Sequence, residues 1–521
     1  MKKKMSKVAV IGVAVMLVVS IGLWAGGAAE PDVPEKTLIV AYPDDVAHFD
    51  NMATTAPPKE VRHLVFEQLY ALDAEQVPQP VLAESAELSA DELTWTIRLR
   101  DDVEFHDGQP MTSADVVASF YRFRDVGAKA WELDRVEDVV AIDDHTVEFR
   151  LHGRFGALLE SLAGGGGALS IYPEWVIEEI GTDDLRDMEH IVGTGPYTVD
   201  QIVPEERYIL RRYDNYVSPE GEPSYQAGRR DAPMEVIDVR VIPDDATRVA
   251  ALEAGDVDVI QAVPLDDAQR VEDNRDTYIQ ETSPGYRVYY KFNVRQGPFT
   301  DPKLREAVRA AIDPYELLAA IGDDRFWRVN HAMRYQEEQW MWSDYAEQFF
   351  VNDLDKAREL MEESDYDGEM IRFLASPGRA LEYRTVIPMQ NVLAQLGINV
   401  QIMSVDAATF SEIRAQTDQW EIKHAGGGSI SMPVYLDSSV QDRTGERWPG
   451  VPEEWDEYMG IVQAEPDLEE RQAAIQELHK ISADLNYEMW LGDVFEIGGA
   501  RDNVVNMPIW FKLHLWNIDK E

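Results

Sequence analysis

The sequence predicts an α/β protein, and three observations carry that prediction. Short apolar strands alternate with helical patterns along most of the chain, as over residues 236–242, 246–254 and 257–260, or 370–375, 383–396 and 398–403. Hydrophobic residues make up 45% of the sequence and aromatics 10%, enough apolar material for packed cores despite 28% charged residues. The 521 residues correspond to roughly three domain-sized units at ~150 residues each.

The elements follow in order. Residues 38–42, Leu-Ile-Val-Ala-Tyr, read as a first strand. Residues 59–69 put Val61, Leu64, Val65, Gln68 and Leu69 on related faces of a helix. Residues 93–99 alternate and read as a half-buried strand. Thr112 with Asp115 three residues on is a capping-box pattern, opening a helix to about Arg124. Residues 139–151 read as paired short strands, 164–167 as a loop and 171–180 as a short helix. A Pro-, Gly- and charge-rich loop covers 218–233. Gly255 and Gly397 close the helices that precede them. A strand at 287–294 and helices at 302–312, 354–363 and 468–485 complete the reading. No internal repeat or low-complexity tract interrupts it.

The first thirty residues read as an address. Four lysines precede an apolar run from Val8 to Trp24, and small residues follow to Ala29 before the polar Glu30-Pro31-Asp32. That order is the order of a secretory signal peptide, with cleavage expected near Ala29. The rival reading is an uncleaved anchor, for which the run is short. No Cys follows the run, so an N-terminal lipid anchor is not expected, and a periplasmic location is.

Charge and cysteine content narrow the function. Asp and Glu number 97 against 48 Lys and Arg, a net charge of −49. A phosphate backbone needs a basic face, so neither nucleic acid nor an anionic membrane surface is an expected partner. Only 14 of the basic residues are Lys. An acidic, lysine-poor surface fits high salt, where screening removes self-repulsion, or a cleft that attracts cations. With no Cys there is no disulfide, thiolate zinc site or Cys nucleophile. The sequence has no Gly-x-Ser-x-Gly elbow and no His-Glu-x-x-His, and its ten His are scattered. Neither a cofactor nor a metal is expected.

Trp95-Thr96-Ile97-Arg98-Leu99-Arg100-Asp101-Asp102-Val103 is followed by Phe105-His106-Asp107-Gly108-Gln109-Pro110-Met111-Thr112-Ser113-Ala114-Asp115-Val116. This resembles the signature of the family 5 extracellular solute-binding proteins, the oligopeptide, dipeptide and nickel receptors of ABC importers. Further marks stand in the family's order: Val192-Gly193-Thr194-Gly195-Pro196-Tyr197, Leu252-Glu253-Ala254-Gly255-Asp256-Val257-Asp258, Phe292-Asn293 with Gly297-Pro298-Phe299, Arg305-Glu306-Ala307, and Ala357-Arg358-Glu359-Leu360 with Tyr366-Asp367-Gly368. The resemblance spans residues 36–520. Taken one by one the marks read as turns and caps: Asp107-Gly108 as a tight turn, Thr112 as a cap, Gly193-Thr194-Gly195-Pro196 as a rigid turn into a strand.

The resemblance implies a two-lobed periplasmic binding protein fold of the class with an extra subdomain, its lobes joined by two crossing strands. On that pattern residues 1–29 are the signal peptide, and 36–57, 192–285 and 490–521 form a discontinuous first lobe. Residues 58–191 form the extra subdomain and 286–489 the second lobe. The implied function is a receptor, not an enzyme, that captures oligopeptides or peptide-like solutes by lobe closure and delivers them to membrane permease subunits. The expected form is a monomer. An oligosaccharide receptor is the alternative, since Trp faces suit sugar rings, and a periplasmic hydrolase the second.

The family's peptide receptors carry an acid a few places before a proline, pairing with the peptide's α-ammonium. Ser429 stands there before Pro433, preceded by Gly426, Gly427 and Gly428, which let a ligand approach the backbone closely. Trp490, on the return crossing, is expected in the cleft. Phe49 and Asp50 match the family's early cleft loop, where Asp50 either binds a cation or caps a turn. Tyr42, Tyr286 and Arg379 complete the candidate set.

Overall fold

A computed structural model describes residues 36–521 except 47, 57, 165–166, 428–432, 443 and 509–512. The expected signal peptide, and Gly428 and Ser429 of the candidate site, lie outside the described residues. Among the described residues no helix is long and apolar enough to cross a membrane.

Two long strands organise the molecule. Thr277–Phe292 and Glu488–Arg501 run antiparallel and pair with each other along almost their whole length. They sit at the centre of an 11-stranded sheet. On one side Thr277–Phe292 pairs with Ile422–Gly427, which leads to Ile371–Ala375 and Val400–Ser404 in parallel. On the other, Glu488–Arg501 pairs through Val259–Ile260 with Thr37–Tyr42, then Val236–Val241, Arg207–Arg212 and Tyr197–Val203. The ladder between the two long strands shifts register between Glu281 and Tyr286, around Pro284-Gly285. Proline cannot donate to a ladder, so a break there has a local cause.

Core membership changes along these strands. Val288, Tyr290 and Phe292 share one apolar cluster with Met489, Leu491 and Val494, whereas Ile497 packs with Val249 and Leu252, and Ala500 with Leu38 and Val40. The return strand thus changes core between Val494 and Ile497, later than Trp490. A second sheet, Ala83–Leu88, Thr94–Leu99, Thr146–Leu151 and Val136–Asp143, carries the strand expected at 93–99 and the pair expected at 139–151. Its inward residues Ile97, Val147 and Phe149 join the same continuous cluster as Leu38 and Val40.

Local signals set several elements. The Asp115 carboxylate accepts from the Thr112 N–H at 2.8 Å and from its hydroxyl at 3.0 Å, closing the capping box that opens Ser113–Val126. Asp244 caps Asp245–Ala254, and Gly255 ends it in the left-handed region at φ 79°. The helix expected over 59–69 is a correction: it ends at Arg62. The next residues feed their backbone to another segment instead. The Val65 carbonyl accepts from the Gly195 N–H at 2.9 Å, and the Leu64 carbonyl from the Tyr197 N–H at 3.0 Å.

That contact explains two of the sequence marks together. The His106 N–H donates to the Gly193 carbonyl at 2.9 Å, and Gly193 N–H donates back to His106 Nδ1 at 3.3 Å. The ring's Nε2 meets the Gly195 carbonyl at 2.9 Å, so it carries the proton. Burial lowers this histidine to about 4, keeping it neutral. A Cβ on Gly193 would stand 1.9 Å from the Val65 carbonyl oxygen. Gly193→Ala is therefore expected to cost about 3 kcal/mol of stability, because backbone must move. Gly108 has open space but φ +82°, so Gly108→Ala is expected to cost only about 1 kcal/mol. Urea denaturation of the two variants checks the ranking, and equal losses would discount the contact.

A seam joins the end of the second sheet to a distant helical corner. Gly156 N–H donates to the Ala464 carbonyl at 3.0 Å and Ala157 N–H to the Gln463 carbonyl at 3.3 Å. Beside them the Arg471 guanidinium pairs with Glu160 at 2.5 Å, both side chains almost fully buried.

Candidate functional site

A cavity of about 820 Å³ opens beside the two long strands. Strand alternation supplies its first wall. Arg287, Tyr289 and Lys291 face the cavity, while the intervening Val288 and Tyr290 are fully buried in the core. On the return strand Glu488 and Trp490 face it, while Met489 and Leu491 do not. The end of Ile422–Gly427 gives a second wall through His424, Ala425, Gly426 and Gly427. Leu436 to Asp442 and Trp448 close a third side, and Trp131 reaches in from the far part of the sequence.

Aromatic and cationic groups interlock along the strand wall. The Trp490 ring stacks on Tyr289 with centroids 3.9 Å apart and planes at 28°. The Arg287 guanidinium lies 4.6 Å from the Trp490 ring centroid and 4.9 Å from that of Tyr335. Lys291 has all three protons placed: Nζ donates to the Ser438 carbonyl at 3.0 Å, the Gln441 carbonyl at 3.1 Å and Glu488 Oε1 at 2.8 Å. It ties the 433–442 segment to the strand.

A second cluster gathers residues from three elements. Tyr286 donates its hydroxyl to Glu382 at 2.9 Å, and Arg379 donates to Glu382 at 2.5 Å, to the Tyr286 hydroxyl at 3.2 Å and to the Gly426 carbonyl at 2.8 Å. The Tyr286 ring leaves no room at Gly426, where a Cβ would stand 2.4 Å from a ring carbon. His424 beside it accepts the Ser376 N–H on Nε2 at 2.8 Å. Burial, then the charges of Arg379 and Lys423, lower it to about 3, so this imidazole is neutral.

Residues 77–444 match the bacterial extracellular solute-binding proteins, family 5, over the family's middle region. The chain belongs to that family. The resemblance read from the sequence marks holds. This family 5 chain is 27% identical over 513 residues to a probable peptide ABC transporter periplasmic-binding protein, y4tO, of Sinorhizobium fredii, covering 93% of this chain and 94% of the relative. It is 28% identical over 398 residues to the glutathione-binding protein GsiB of Escherichia coli O1:K1, covering 75% and 73%. Among solved structures, NikA from Brucella suis in complex with Fe(III)-EDTA superposes with a TM-score of 0.79 at 19% identity, covering 93% of this chain and all of that one. That likeness establishes the periplasmic binding protein fold.

Within this family 5 fold, the sequence candidates divide. Gly426, Gly427, Trp490 and Arg379 line the cavity, and Tyr286 stands behind Gly426. Three others lie elsewhere. Asp50 is fully buried and paired with Arg122, with Nη1 at 3.2 Å and Nη2 closer. It also accepts from the Tyr172 hydroxyl at 3.1 Å and the Met52 N–H at 3.2 Å. Phe49 packs edge-on against Tyr208, centroids 5.9 Å apart. Tyr42 is fully buried in the same core. The early loop is thus packed into the scaffold rather than presented to the cavity.

Sequence reading missed Arg287, Tyr289 and Lys291. The signal was present in Arg-Val-Tyr-Tyr-Lys-Phe, where Arg287, Tyr289 and Lys291 take one face and Val288, Tyr290 and Phe292 the other. It also allowed that the acidity marks a cation-attracting cleft. The lining corrects that: it holds Arg287, Lys291, Arg334, Arg379, Arg414 and Lys423 against Asp437, Asp442 and Glu488. The acidic residues are spread over the rest of the surface.

Proposed function

We propose that this chain is the cargo-binding receptor of an ABC importer, and that its cargo is a peptide or peptide-like solute held in the 820 Å³ cavity. The observation that carries the reading is that cavity itself, walled by both long strands where they pack on the second core and reached from a distant segment by Trp131. A solute there touches Trp131, from the proposed extra subdomain, as well as the wall built from residues 287–490, and favours the closed arrangement by those differential contacts. The volume falls in the range of small-molecule and peptide sites. The names of the curated relatives support peptide-like cargo.

The proposed division is a first lobe of 36–57, 192–285 and 490–521, an extra subdomain of 58–191 and a second lobe of 286–489. Cargo is held by Trp490, Gly426, Gly427 and Arg379, with Tyr286 supporting Gly426. The mature form is a monomer, exported by its first 29 residues, resident in the periplasm, and partnered by permease subunits. It binds and releases its cargo unaltered.

One observation favours a second reading. Trp131, Trp420, Trp448 and Trp490 all reach the cavity, and indole faces suit the rings of an oligosaccharide. Calorimetry on purified protein against di- to pentapeptides and neutral oligosaccharides separates the two. Peptide binding with compaction in small-angle scattering is the expected result. Sugar binding alone, or a product in the incubation mixture, would replace it.

A further inference from the structure

We infer that the cargo is an anion, an acidic peptide one of whose carboxylates pairs with Arg287; this rests on the receptor reading above and specifies its substrate class. Arg287 is 4% exposed on the cavity side of Thr277–Phe292. Among the described residues it has no carboxylate within 4.0 Å. Its contacts are the Met333 carbonyl and the ring faces of Tyr335 and Trp490, and its Nε has no hydrogen-bond partner. Asp493, its register partner on the return strand, is held by Arg328 at 2.8 Å and Asn330 at 3.0 Å. A guanidinium this buried is costly to leave with only the field of Asp493, a carboxylate that Arg328 already pairs, and rings with one carbonyl offset only part of that cost. The incoming group that completes the site is a carboxylate, which accepts in the fork geometry that guanidinium offers.

The rest of the lining agrees. Each of its three carboxylates already has a cation: Glu488 has Lys291 at 2.8 Å, Asp442 has Arg295 at 3.0 Å, and Asp437 lies 4.0 Å from Arg447 while accepting from the Trp455 indole N–H at 2.6 Å. An incoming ammonium would have to break an existing pair. Two lining arginines are backed from outside the lining, Arg379 by Glu382 and Arg334 by Glu338 at 4.0 Å. Even so, the wall is basic inside a chain of net charge −49. Such an inversion of sign, confined to one cavity, is a specificity device rather than a by-product of composition.

The test uses purified full-length protein freed of cargo by mild denaturation and refolding, titrated calorimetrically with triglutamate, triglutamine, citrate and maltotriose. Triglutamate is expected to bind at least about tenfold more tightly than triglutamine, the worth of one good charged pair. Arg287→Gln, checked for folding by circular dichroism, is expected to erase that ratio, and Arg287→Lys to retain part of it. A smaller ratio in the unmodified protein overturns the inference and leaves the peptide reading in place. A ratio unchanged in folded Arg287→Gln overturns the role of Arg287. Binding of citrate with no binding of either peptide sustains an anionic cargo and sinks the peptide reading. Failure of both acidic probes to bind overturns the inference, and maltotriose binding alone overturns both.

Discussion

Asp50→Ala should lower the unfolding free energy by about 3–5 kcal/mol and leave cargo affinity within about threefold wherever the variant is folded. The carboxylate and the Arg122 guanidinium are both essentially inaccessible to water. Removing Asp50 strands a buried cation and also strips acceptors from the Tyr172 hydroxyl and the Met52 N–H. Asp50→Asn should fall between, since it keeps an acceptor but not the charge. Urea denaturation gives the stability, and calorimetry well below the melting temperature gives the affinity. A tenfold loss of affinity in the folded variant would return Asp50 to the binding site, the role its place in the early loop suggests.

Trp490→Ala should weaken cargo binding well beyond about tenfold with the fold intact, the behaviour of a central aromatic anchor. Its ring is half-buried, stacks on Tyr289 and covers one face of Arg287. Truncation opens the wall, lets water reach the guanidinium and removes a contact surface of the cavity. The ring also packs against the apolar cluster of Met333, Trp340 and Met341, so circular dichroism and urea denaturation accompany the affinity measurement. Trp490→Phe should recover part of the affinity, because a smaller ring still stacks. Affinity of Trp490→Ala equal to that of the unmodified protein would remove this residue from the site.

What the sequence disclosed and what it hid follow from the range of the interactions concerned. The capping box at Thr112 and Asp115 is set within four residues and could be read directly. The strand at 287–294 could be read from its own residues, although its true start at Thr277 could not. Of the two readings of Asp50 the turn cap was local and could be read, whereas its pairing with Arg122, 72 positions away, could not. The helix at 59–69 stopped early for the same kind of reason: Leu64 and Val65 give their carbonyls to the Gly195–Tyr197 strand entry. Gly426 could be picked out as a position of close approach, but the approaching group is the Tyr286 ring, and a missing Cβ does not say what fills its space. The basic cavity was hidden most thoroughly. A net charge sums over the whole surface, and six cations drawn from five distant segments leave no trace in it.

The seam where Gly156 and Ala157 meet Gln463 and Ala464, with Glu160 against Arg471, bears on timing. In a clamp divided as proposed, it joins the extra subdomain to the second lobe without touching anything in the cavity. A shut form that keeps this seam has a grip that owes nothing to its passenger. In such a clamp departure waits for the same buried pair to part, whichever solute is inside, and dwell times of different passengers are drawn towards one another. Discrimination then falls chiefly on which solutes can bring the halves together in the first place, and on the permease that prises them open again.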